Sequence, residues 1–210
     1  VEEKMRTATL VVLILMSGMA FAQEETYENL KVLPKDITKQ QLTTVMKRWV
    51  SDLGVSCNFC HVGEPGAPLS SYDFPSDDNK HKGITRKMVE MTKAINVDYL
   101  DKIEEGAHVD CRTCHRGLAS PRTLAEDLNR NLRRKGLDVA AMRYDKLREK
   151  YYGTDSFDFS EDSLNNFAAS LAGSGKTDEA LRFLNINLVH YPKSVKAYYL
   201  LGDIAATKGD

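Results

Sequence analysis

The chain has 210 residues, with 29 Lys and Arg against 30 Asp and Glu and a formal net charge of −1. That length allows one or two domains with a real core. There is no basic excess to suggest nucleic acid, and 42% hydrophobic with 28% charged residues is ordinary globular composition.

The first element is a targeting segment. Lys4 and Arg6 precede an apolar run at 8–20, "ATLVVLILMSGMA", which is short for a membrane span. Ala20-Phe21-Ala22 has the A-x-A cleavage pattern. The expectation is a signal peptide over 1–22, with Met5 as the start and Gln23 as the mature terminus. The protein would then be periplasmic or extracellular. After a polar stretch, "DITKQQLTTVMKRWVSDLG" reads as an amphipathic helix. Thr38 and Gln41 have capping-box spacing, and Leu42, Val45, Met46, Trp49 and Leu53 form one apolar face. Gly54 is a stop signal.

Residues 62–82 hold Pro65, Pro68 and Pro75 and read as a long loop. A second helix, "ITRKMVEMTKAIN", puts Ile84, Met88, Met91 and Ile95 on one face. From Leu118 the chain is helical, charged and free of cysteine up to Gly153. The last region has a period of 34 residues. With Glu161 as position 1, Leu164, Phe167, Ala168, Leu171, Ala180, Leu184 and Pro192 fall at 4, 7, 8, 11, 20, 24 and 32. Val195 opens the next unit, with Tyr198, Leu201, Gly202 and Ala205 at 4, 7, 8 and 11. This pattern resembles tetratricopeptide repeats over 161–210, one and a half units, and implies a helical segment for protein docking.

All four cysteines lie in two C-x-x-C-H pentads, Cys57-Cys60-His61 and Cys111-Cys114-His115. A redox disulfide would need a βαβ context. A four-cysteine zinc site would need the pairs much closer than the 50 residues between Cys60 and Cys111; the usual ribbon spacing is roughly 15–20. The histidine immediately after each pair selects covalent haem: two thioethers fix one porphyrin edge and the imidazole comes under the iron. The cofactor expectation is two covalently bound haem c groups, and a haem-free chain that folds poorly.

For the sixth ligands, "MKRWVSDLGV" (46–55) and "MVEMTKAINV" (88–97) align without gaps. Each places a methionine on the helix before its pentad. Met46 and Met88 are the candidates, with Met91 one turn from Met88 as the alternative; His81 and His108 are outside candidates. Lys47, Arg86, Arg112 and Arg116 are candidate partners for haem propionates.

The strings "MKRWVSDLGVSCNFCHV", "YDFPSD", "RKMVEMTKAINVDYL" and "VDCRTCHRG" resemble the cytochrome subunit of photosynthetic reaction centres. More closely, they are similar to small di-haem cytochromes related to its second half. The likeness covers about 30–120. It implies that Met46 ligates the first haem opposite His61. In the four-haem members the last haem takes its sixth ligand from a histidine in the first half, which has no counterpart here. The second haem is thus left with Met88, Met91 or no side chain.

The expected architecture is mostly α. A di-haem cytochrome c domain at 23–120 is followed by a helical connector at 121–160 and tetratricopeptide-like hairpins at 161–210. The expected function is exported electron transfer between a redox donor and acceptor, without enzymatic activity and without nucleic acid. Haem–haem contact between neighbouring chains is compatible with it. Two other readings stand beside it. One is a di-haem peroxidase-like enzyme using His108 or Glu90 as a distal acid–base group. The other is a repeat scaffold with a haem redox sensor.

Overall fold

A computed structural model describes residues 27–103 and 105–208; the signal peptide expected over 1–22 lies outside them. The described residues are helical with no sheet, and Val62 and Asp73 form an isolated antiparallel bridge.

Helix α1 is Lys39–Leu53. Thr38 Oγ1 accepts from the Gln41 N–H at 3.3 Å, and Gln41 Oε1 accepts from the Thr38 N–H at 3.0 Å. These bonds satisfy two of the amides that a helix start leaves unpaired. Helix α2 is Lys80–Ala94, four residues longer at its start than the apolar pattern suggests. Asn79 caps it by accepting from the His81 N–H at 3.1 Å. The early turn carries Lys82, whose ammonium donates to the carbonyls of Phe74, Pro75 and Ser76 at 2.8, 2.8 and 2.7 Å. Polar residues there serve the preceding loop, which is why no apolar periodicity marks the turn. Beyond Ala94 the helix loosens into a π turn at Ile95–Tyr99 and a 3-10 turn at Leu100–Lys102. Helix α3, Cys111–His115, is the second pentad itself.

Helices α4 (Leu124–Lys135) and α5 (Leu137–Tyr151) pack together. Thr123 and Glu126 form a reciprocal cap, and basic residues crowd the last turn of α4 where the helix dipole favours them. Helices α6 (Glu161–Gly173) and α7 (Thr177–His190) fold back on each other, and α8 (Val195–Lys208) packs on both. One continuous core runs from Leu118 through Leu128, Tyr144, Leu147 and Leu164 to Phe183 and Ile204. The helices of the charged middle region and of the 34-residue period therefore share their buried side chains.

The periodic positions Leu164, Phe167, Ala168, Leu171, Ala180 and Leu184 are all buried. In the next unit Ala197 and Ile204 are buried, whereas Tyr198 is exposed. A buried polar chain joins the three helices: Asn187 Nδ2 donates to Asn165 Oδ1 at 2.8 Å, and Asn165 Nδ2 donates to Ser194 Oγ at 3.1 Å. Such a fully enclosed chain fixes register, because a slip would strand its members without partners.

Candidate functional site: two C-x-x-C-H turns

The first pentad follows directly from the end of α1. Gly54 adopts φ 61°, its N–H donates to Ser51 at 3.2 Å, and the next N–H, of Val55, reaches back to Val50 at 3.1 Å. This left-handed stop reverses the chain into a 3-10 turn at Cys57–Phe59. The Cys57 carbonyl accepts from the N–H groups of both Cys60 and His61, at 3.3 and 3.0 Å, so the pentad closes into one turn. Helix α2 lies against it: Thr85 Oγ1 is 3.5 Å from Cys60 Sγ, and His81 stacks on Phe59 at 4.2 Å.

The His61 ring meets Phe74 edge-on at 4.9 Å, and its Nδ1 is buried without a hydrogen-bond partner. Burial, with Lys82 and then Arg86 nearby, pulls the imidazole below its ordinary pKa, against an opposing pull from the Phe74 backbone. The neutral ring, the form that binds metals, is favoured.

The loop that carries Phe74 is held by Asp77. Its carboxylate accepts from Lys31 at 2.6 Å, Arg86 at 2.7 Å and Asn29 at 2.8 Å, with Lys82 at 3.4 Å. The Lys31 hydrogen bond, followed by those of Arg86, Asn29 and Lys82, holds Asp77 well below the usual carboxylate range despite some desolvation. A depressed folded-state pKa stabilises the fold above the ordinary value of 3.8, and that contribution is lost as pH falls below it. The expected result is that the stability difference between the native chain and Asp77→Asn is full at neutral pH. It should shrink progressively below about pH 4. Denaturant titrations of the holoprotein at several pH values measure it, and a difference independent of pH would contradict the arrangement.

The second pentad is capped by Asp110. Its Oδ1 accepts from the Thr113 N–H at 2.9 Å while the Asp110 N–H donates to Thr113 Oγ1 at 3.1 Å. The chain turns left-handed at Arg116, φ 49°, and His115 Nδ1 lies 2.7 Å from the Leu118 carbonyl oxygen. A carbonyl only accepts, so Nδ1 carries the proton and Nε2 is left with a free lone pair. That is the arrangement that orients a metal-ligating histidine. The Leu118 side chain belongs to the core of the following helices. Arg112 forms an ion pair with Asp155, its Nε at 3.2 Å, and Ser156 Oγ donates to the Arg116 carbonyl at 2.6 Å. The second turn is thereby seated on the C-terminal core. Asn96 secures its approach, donating to the Val109 carbonyl at 2.8 Å and accepting its N–H at 2.9 Å.

The two turns meet at the end of α1. The Gly117 N–H donates to the Asp52 carbonyl at 2.9 Å, and Arg48 of α1 pairs with Asp110. Asp52 is buried, and burial, then the neighbouring Asp110 carboxylate, raise its pKa against Arg48, Arg112 and His115. A Cβ on Gly54 would stand 2.0 Å from the Gly117 carbonyl oxygen. Gly54→Ala is therefore expected to destabilise the holoprotein by about 2–3 kcal/mol, combining backbone strain and overlap. Chemical denaturation followed through haem absorbance measures this. A loss below about 0.5 kcal/mol would mean that the junction yields freely.

All four cysteines are free, and the two pairs do not gather: among the described residues no group of three or more His, Cys, Asp or Glu is arranged to hold a metal ion. Helix α1 buries only Asp52 and Leu53, and α2 buries none of its residues. Met46 is half-buried on α1; on α2, Ile84, Met88 and Met91 are exposed by 49%, 38% and 46%. An amphipathic helix needs a partner for its apolar face. The residues fit haem c: paired thiols at the attachment spacing, an imidazole with Nε2 free, and apolar helix faces beside them for a porphyrin to cover.

Of the expected propionate partners, Arg86 and Arg112 are already engaged by Asp77 and Asp155. His108 and Glu90, the acid–base candidates, are exposed. Among the described residues no helix is long and apolar enough to cross a membrane. Sequence reasoning passed over Asp52, Asp77, Lys82, Asn96 and Leu118. The i, i+4 spacing of Arg48 and Asp52 was one signal, and Asp52, Asp77 and Asn96 also lie within the strings that carry the family resemblance.

The family described as photosynthetic reaction centre cytochrome C subunit matches residues 10–171. The photosynthetic reaction center cytochrome c subunit of Thermochromatium tepidum is 38% identical over 101 residues, 47% of this chain and 22% of that protein. The same subunit of Roseobacter denitrificans is 34% identical over 104 residues, 47% and 26% of the two chains. That of Rubrivivax gelatinosus is 29% identical over 105 residues, 48% and 25%. The chain thus spans about a quarter of the length of these curated relatives. No solved structure matches. With the match covering most of the sequence and both turns built for covalent attachment, the chain belongs to the photosynthetic reaction centre cytochrome c subunit family and carries two haem c attachment sites.

Proposed function

We propose that the chain is an exported di-haem electron carrier of the periplasm or cell exterior, passing electrons between a donor and an acceptor protein, without catalytic chemistry of its own. The reading rests on one observation above all: two C-x-x-C-H turns, each beside a helix whose apolar face is only partly covered, with His115 held in the metal-binding tautomer by Leu118. When bound, each haem c supplies one reversible one-electron iron couple. Cys57 and Cys60, and Cys111 and Cys114, form the thioethers. His61 and His115 would bind the irons from the attachment side. Met46 would hold the iron of the first haem together with His61, and Met88 that of the second together with His115, with Met91 as the alternative.

The surrounding residues set what those ligands do. Lys82 ties the Phe74 loop over His61 and limits water there, while Asp110 and Arg48 brace the second turn against α1. The division follows the sequence: an exported leader to residue 22, a cytochrome domain to 120, a connector to 160 and a tetratricopeptide-like segment beyond. That last segment offers a surface for a partner protein, and the bound haems would be the groups to meet those of neighbouring chains. Carbon monoxide tests the ligand set. The reduced native protein is expected to bind it at neither haem, Met46→Ala and Met88→Ala to open one haem each, and Met91→Ala to open none. Ready binding by the unaltered protein would sink the carrier reading and favour an open-site enzyme.

A further inference from the structure

Away from both pentads, α4 and α5 frame a cleft of about 400 Å³. Its walls bring together Arg122 before α4, Arg130, Arg134 and Lys135 of α4, and Arg143 and Lys146 of α5. One carboxylate, Asp127, lies among them. It is buried and already taken by Arg143 at 2.8 and 3.3 Å and by Asn131 at 3.1 Å. The other five cations make no ion pair or hydrogen bond among the described residues. The helix dipole accounts for Arg134 and Lys135 in the last turn of α4, but not for Arg122, Arg130 or Lys146. Arg122 and Arg130 are half-buried, so water alone solvates them incompletely. In a chain whose total charge is −1, this convergence is a local property and not an average one.

We propose that the α4–α5 cleft is a binding site for a compact phosphate-bearing anion. The unpaired guanidinium forks of Arg122, Arg130 and Arg134 on the α4 side match phosphate oxygens in pairs, with the Lys146 ammonium on the α5 wall, and a phosphate or diphosphate supplies the multiple charge that one carboxylate lacks. The volume lies within the range of small-ligand sites, roughly 300–1,000 Å³, and is too small to enclose a folded partner. Val139 and Met142 add a short apolar wall, which suits a phosphate ester or the headgroup region of a phospholipid.

The test uses the full holoprotein at low ionic strength. Pyrophosphate is titrated calorimetrically, and flotation compares phosphatidylglycerol vesicles with phosphatidylcholine vesicles. The double variant Arg130→Gln/Arg134→Gln is expected to weaken binding by roughly tenfold or more, and Lys146→Gln to weaken it by less. The charge-matched pair Lys87→Gln/Lys93→Gln on α2 should leave it within about twofold. Haem spectra and circular dichroism confirm that each variant is folded. Pyrophosphate binding without vesicle binding identifies a soluble ligand, and selective binding to phosphatidylglycerol vesicles identifies a headgroup; either supports the site. The proposal is overturned if neither probe binds, if the α2 pair loses as much as the α4 pair, or if polyglutamate binds while both phosphate probes fail.

Discussion

Replacing Cys57, Cys60, Cys111 and Cys114 together by serine is expected to abolish cooperative structure over residues 27–117 while leaving the helices beyond Leu118 folded. Between 27 and 117 the buried apolar side chains are Ile37 and Leu53, whereas the later region buries Leu124, Leu128, Tyr144, Leu164, Phe183 and many more. The first region is otherwise held by polar links: the Asp77 cluster, Asn96 with Val109, and Asp52 with Gly117. Exposed ion pairs contribute at most about 1 kcal/mol each, while ordering the backbone costs roughly 1–2 kcal/mol per residue. Burial of the two porphyrins, once attached, would supply the difference. The expectation from sequence that the whole haem-free chain folds poorly is thus narrowed to its first half. Hydrogen exchange read by mass spectrometry separates the halves. Protection should vanish before residue 117 and persist across α4 to α8; equal protection in both would contradict the account.

The second large effect is expected at Phe183→Ala, about 3–5 kcal/mol of lost stability. Phe183 is 0% exposed, and its ring meets Phe167 at 5.0 Å in an edge-on pair. Truncation would leave a cavity between α6 and α7 that small rearrangements cannot fill. The denaturation midpoint followed by circular dichroism should drop accordingly, while haem content stays at two per chain, because neither attachment turn contains this residue. A change below about 1 kcal/mol would mean that these helices are loosely packed and do not share the core described here.

How much of this was legible beforehand depended on whether a feature was local. Thr38, Gln41 and Gly54 announced both ends of α1, because capping and left-handed stops are written within four residues. The start of α2 was not, since Lys82 packs against carbonyls 6–8 residues earlier and shows no apolar period. The aligned segments 46–55 and 88–97 also diverge at their matched positions Gly54 and Asn96: Gly54 stops a helix, whereas Asn96 continues into a π turn and grips Val109. The periodic face of α6 and α7 was legible; in α8 the periodic Leu201 packs partly buried against the core, but the fully buried positions are Ala197 and Ile204, because that helix packs on both predecessors. The pentads were plain from spacing. Their support was not: the carbonyl of Leu118 and the backbone of Asp52 act through the fold, and no side-chain pattern encodes them. The family match also runs to residue 171, past the recognisable strings and through both helices of the charged middle region.

The central claim is that both turns carry haem. It is tested most directly by counting covalently bound haem per chain, using intact mass and the alkaline pyridine spectrum after export in a host with cytochrome c maturation. The account predicts two, falling to one when either Cys57 and Cys60 or Cys111 and Cys114 are changed to alanine. A mature chain that leaves the same host with no haem, or with one haem insensitive to one of the pairs, would contradict it.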